Sequence, residues 1–155
     1  MRRGYGMKLV LCICLILLNL FFIFGNSMLA GPQSAELSGG FLELLEEFIE
    51  ETIPDGQFFI RKLAHFSEFA CLGLLLTWLF LLLKQKSFHL MTLPLLFGSL
   101  AALTDETIQV LTPERGPSVV DVWIDISGVT LGILLLLLGH CLLKRRKPKS
   151  NGGTK

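Results

Sequence analysis

Charge is scarce in this chain. Only 17% of its 155 residues are Asp, Glu, Lys or Arg, while 52% are hydrophobic, a balance foreign to an ordinary soluble domain. Cysteine is sparse too. Cys12, Cys14, Cys71 and Cys141 all fall in or beside apolar runs, so they read as small packing residues, not as a disulfide framework. There is no internal repeat, no glycine-rich phosphate loop, and no Ser-His-Asp or cysteine-nucleophile pattern. The basic C-terminal tail lacks interleaved aromatics, so no nucleic-acid partner is expected.

What the chain does have is length without polarity. Four runs, about Leu9–Leu29, Leu63–Leu83, Phe88–Leu111 and Val119–Leu143, can each cross roughly 30 Å of hydrocarbon at about 1.5 Å per residue. The expected fold is all-α: a four-span transmembrane helix bundle over residues 8–143, followed by a basic tail at 144–155. Arg2 and Arg3 before the first run imitate a signal peptide. Leu9–Phe24 is long for a cleavable core, however, and Met28 is a poor residue before a cut after Ala30, so the run is read as an uncleaved span.

The charges sort along the chain. Eleven of the fourteen basic residues lie in three clusters: Arg2, Arg3 and Lys8; Lys84 and Lys86; and the tail from Lys144. In a four-span topology all three fall on one side, which places both termini in the cytoplasm by the Lys/Arg rule. The thirteen acids occupy the other half.

Between spans one and two, Phe41, Leu44, Leu45, Phe48, Ile49 and Ile53 recur at helical spacing. Glu43, Glu46, Glu47, Glu50 and Glu51 fill the opposite face. At about 13 residues this segment is too short to span, and it is expected as an amphipathic helix in the outer interface. Its acidic face is either simply solvated or a lid over the polar site. Ser118 and Asp121 have the spacing of a capping box opening span four. Gly128 with Gly132, and Gly98 with Ala102, form small faces expected to let spans three and four approach closely.

Ionisable side chains inside such runs are the informative exception. Charged groups near mid-bilayer cost roughly 2.5–3.5 kcal/mol each, so they persist where they face partners or water. Arg61, His65 and Glu68 stand at i, i+4 and i+7 on span two, with Lys62 beside them. On span three come Asp105, Glu106 and Gln109; on span four, Asp121 and Asp125, with Arg115 in the turn before them. Counted from the helix ends, all lie near one surface.

Three readings remain open. One is a charge network fixing helix register, with His65–Glu68 and Arg115–Asp121 as pairs. Another is a functional site in which carboxyl groups outnumber their partners and stand beside an imidazole suited to proton transfer. The third is a metal site using His65 and Glu68 with Asp105 or Asp125, for which the single histidine at this level is a thin donor set. No cofactor is expected from the sequence.

The run Arg61-Lys62-Leu63-Ala64-His65-Phe66-Ser67-Glu68-Phe69 resembles the R-K-x-x-H-x-x-E-[FY] signature of the VanZ-like membrane proteins. Asp105-Glu106-x-x-Gln109, then Arg115, then Asp121-x-x-x-Asp125-x-x-Gly128-x-x-x-Gly132 is similar to that family's second block. Asn26-Ser27 at the end of span one also fits. Ile108 departs, standing where many members place His before the Gln, which removes a second imidazole. The resemblance covers about residues 8–143. It implies a bacterial plasma-membrane protein, and the family is named for an accessory protein of glycopeptide-resistance clusters associated with teicoplanin.

The leading expectation is an outward-facing polar cleft that binds or modifies a lipid-linked or cell-envelope substrate. Arg61, Lys62 and Arg115, with Asp121, would serve the anionic headgroup. His65, Glu68, Asp105, Glu106, Gln109 and Asp125 would handle protons or orient the substrate. The rival is a non-enzymatic membrane protein that binds lipid or a partner and alters antibiotic access. Proton-coupled transport fits less well, because the chain lacks inverted repeats and broken helices. The sequence leaves a homo-oligomer open.

Overall fold

In hydrocarbon every backbone amide must find its partner within the segment, and long apolar runs answer with helices. The structure, a computed structural model, describes residues 2–28, 56–112 and 118–145, with side chains from residues 4, 62 and 118 onward in each piece. It contains α1 (Arg2–Met28), α2 (Gly56–Leu82), α3 (His89–Leu111) and α4 (Val119–Arg145), and no strand among the described residues. Three of these, α1, α2 and α4, are long and apolar enough to cross a membrane. The paired acids Asp105 and Glu106, with Gln109, dilute the apolar character of α3. The interfacial helix expected at 41–53, the turn bearing Arg115 and the tail beyond 145 lie outside the described residues. So does the Arg61 side chain, although its backbone belongs to α2.

The helices alternate in direction. Tyr5 Oη donates to the Leu82 carbonyl at 2.9 Å and the Cys12 thiol to the Leu75 carbonyl at 3.6 Å, which sets α1 antiparallel to α2. A tight turn then reverses the chain. The Lys84 amide bonds the Leu81 carbonyl and the Gln85 amide the Phe80 carbonyl, both at 3.1 Å. Lys84 takes φ 55°, so α2 ends in the paired-bond motif that usually employs glycine at this position. Phe80 of α2 and Phe97 of α3 stack with ring centroids 6.1 Å apart.

Packing is closest between the parallel helices α2 and α4. A Cβ on Gly128 would strike the Phe66 carbonyl, and one on Gly132 the Ala70 carbonyl; one on Gly73 would strike the Val129 carbonyl. The Gly128/Gly132 stripe therefore seats α4 on α2, which corrects the expectation that it faces span three. The contact between α3 and α4 runs instead through Gly98, which receives the Val129 side chain. An apolar core containing Cys12, Ile16, Leu72, Leu75, Val129 and Ile133 fills the middle of the bundle.

Candidate functional site

Alternating directions bring four helix ends to one level: the C-terminal ends of α1 and α3 and the N-terminal ends of α2 and α4. The polar side chains of the sequence meet there. On α3, neighbouring residues point about 100° apart, so Asp105 and Glu106 serve different partners. Asp105 is fully buried. Its Oδ1 accepts from Ser27 Oγ of α1 at 2.5 Å, and its Oδ2 accepts from Gln109 Nε2, one turn on, at 2.9 Å. His65 Nδ1 of α2 stands 3.7 Å from the same Oδ2. Glu106 turns toward the start of α4 and accepts the Ser118 amide on Oε1.

The remaining contacts tie the layer together. Asn26 Nδ2 of α1 donates to Glu68 Oε1 of α2 at 2.7 Å. Lys62 Nζ meets Asp121 Oδ1 at 2.5 Å, each side chain about a quarter exposed, at the rim. Thr112 Oγ1, at the end of α3, bonds the Ser27 and Ile108 carbonyls at 3.1 Å each. Asp125 of α4 is buried, 2% exposed. One ligand-type atom each from His65, Asp105 and Asp125 lies within 4.8 Å of the others. Glu68 Oε2 and Glu106 Oε2 are buried without a hydrogen-bond partner among the described residues.

Of the residues singled out in the sequence, His65, Glu68, Asp105, Glu106, Gln109 and Asp125 converge, and Lys62 with Asp121 caps them. The contacts seen join residues that the expected pairs did not. His65 faces Asp105 across a helix interface while Glu68 takes the Asn26 amide. Asp121 meets Lys62, and the Ser118 amide goes to Glu106. This displaces the capping box, because a carboxylate from α3 satisfies the donor that Asp121 would have taken. Arg61 and Arg115 side chains lie outside the described residues.

Sequence reasoning counted Asn26 and Ser27 in the family resemblance but named neither as a site residue. Ser27 is nonetheless fully buried. The signals that α1 belongs to the layer were that resemblance and two adjacent polar residues at the depth of Asp105. That depth acquires meaning once α1 and α3 are known to run parallel.

Such a layer can hold an anionic or hydrogen-bonding group, relay a proton through His65, or ligate a cation through His65, Asp105 and Asp125. Residues 8–141 match the family model described as VanZ/LLP1. No curated protein and no solved structure matches the chain.

Proposed function

The chain belongs to the VanZ/LLP1 family, and from that premise we propose that it is a four-span integral membrane protein whose outward-facing polar cleft binds a lipid-linked or cell-envelope substrate. Three apolar helices support membrane residence, and α3 completes the bundle as the span that carries the paired acids. In this reading both termini face the cytoplasm of a bacterial plasma membrane, since eleven basic residues gather at that side.

The observation that carries the reading is the depth of the acids. Asp105 and Asp125, from two helices, are almost wholly buried and face a single imidazole. A register-fixing network needs only matched pairs, whereas Glu68 and Glu106 each have a buried oxygen with no hydrogen-bond partner among the described residues. Lys62, Arg61 and Arg115 at the rim engage an anionic headgroup, with Asp121 orienting Lys62. His65, Glu68, Asp105, Glu106, Gln109 and Asp125 orient the substrate beneath it, and His65 is the group suited to moving protons. Glycopeptide resistance, teicoplanin in particular, is the phenotype to assay.

A second reading has its own support. Asn26–Glu68 and Ser27–Asp105–Gln109 are hydrogen-bonded across helices, as expected of a non-enzymatic scaffold that binds lipid or a partner and alters antibiotic access. Native mass spectrometry of the wild type and of an Arg61→Gln/Arg115→Gln variant tests the cleft. Loss of one co-purifying lipid class supports it; an identical lipid profile overturns it. His65→Ala, Glu68→Gln and Asp105→Asn proteins that insert normally and keep the wild-type phenotype would leave the scaffold reading standing.

A further inference from the structure

His65 on α2, Asp105 on α3 and Asp125 on α4 each send one donor atom to a common point, all within 4.8 Å of one another. Three separate helices contribute, so the grouping is no by-product of spacing along one. Two ligands held at about 2.0–2.2 Å from one ion sit roughly 3–3.5 Å apart at tetrahedral or octahedral angles. His65 Nδ1 and Asp105 Oδ2 are 3.7 Å apart, a small approach from sharing one.

The surroundings also favour a cation. Two buried carboxylates side by side need positive charge or a proton between them. Asp105, Glu68, Glu106 and Asp121 lie within electrostatic reach of Asp125, and Glu68 and Glu106 each add a buried oxygen that has no hydrogen-bond partner among the described residues. Asp105 is fixed from outside the donor set, by Ser27 on one oxygen and Gln109 on the other. Ligating carboxylates are held in this way by outer hydrogen bonds.

We infer that His65, Asp105 and Asp125 are the protein ligands of a divalent cation. One imidazole with two carboxylates suits an ion between hard and borderline, Mn2+ or Zn2+, with remaining positions left for water or an oxygen of a bound molecule. The inference goes beyond the headgroup reading and does not rest on it, because it uses none of Arg61, Lys62 and Arg115.

The test uses the full chain, purified in detergent and stripped with a chelator. Mn2+ binding is followed by electron paramagnetic resonance, and Zn2+ by competition with a chromophoric chelator. The expected result is one saturable equivalent per chain. His65→Ala and Asp125→Asn should weaken it at least about tenfold, and Ser27→Ala by a smaller factor. His140→Ala and Cys141→Ser, which alter donors outside the polar layer, should leave it unchanged. Bound Mn2+ in the wild type should also show pulsed-resonance coupling to one imidazole nitrogen, a readout that needs no variant to fold. Failure of both ions to bind, unchanged affinity in both ligand variants, or absence of nitrogen coupling overturns the site. The Arg61→Gln/Arg115→Gln protein should keep wild-type ion affinity whether or not it loses lipid, which separates this inference from the headgroup reading.

Discussion

Glu68 takes its described hydrogen bond from Asn26, at 2.7 Å, across the α1–α2 interface. Asn26→Ala removes that donor while leaving the carboxyl in place, and a buried polar group stripped of its partner costs roughly 1–3 kcal/mol. The expected result is a lower unfolding midpoint in detergent, with Asn26→Asp lower still because it sets two acids face to face. Gly132 makes a different demand. Its Cβ position is occupied by the Ala70 carbonyl, whereas Gly139 has open space around it. Gly132→Val should destabilise the α2–α4 contact by about 1–3 kcal/mol, and Gly139→Val should change little, as read from the same unfolding curves. At this scale the sequence was half legible. Which residues are polar in an apolar run is plain, but which partner each meets depends on helix rotation. That is why Glu68 was expected beside His65, its own-helix neighbour, and was found with Asn26 on another helix.

Among the elements, α3 has divided loyalties. Its first half is apolar, and its last turns carry Asp105, Glu106 and Gln109, whose partners all come from elsewhere except for the Gln109–Asp105 bond. An acid at the centre of a span costs about 2.5–3.5 kcal/mol on insertion scales, and less toward its end. The isolated α3 segment should therefore insert poorly in a glycosylation-mapping assay. Asp105→Leu/Glu106→Leu should raise its inserted fraction several-fold; an unchanged fraction would mean that the acids are not what limits it. Element positions were legible because long apolar runs in hydrocarbon satisfy their backbone as helices, and each helix overlaps its expected run. Their starts were not. α1 begins at Arg2 and α2 at Gly56, several residues before the apolar stretches, because a helix extends into polar sequence once it is nucleated.

For the whole molecule, the four-span reading makes a directional claim. Reporter fusions at Gln85 should show cytoplasmic activity, and fusions within 113–117 should show activity on the outer side; the reverse pattern would invert the bundle. Convergence of the acids at one level could be anticipated by counting from helix ends. The contribution of α1 to that level, and the seating of α4 on α2, could not. Both depend on the order in which helices pack, and glycine stripes do not name their partner.

The apolar core between the polar layer and the basic end of the bundle has an electrical consequence. A unit charge gains about 2.3 kcal/mol per 100 mV only across the thickness over which the potential actually falls. In the four-span reading, with Leu72, Leu75, Val129 and Ile133 closing the interior, that fall is confined to the hydrocarbon plug, and the acids above it share the side of the outer medium. Energising or depolarising the cell would then leave occupancy of the layer unchanged, as for an insulated receptacle indifferent to the battery beneath it.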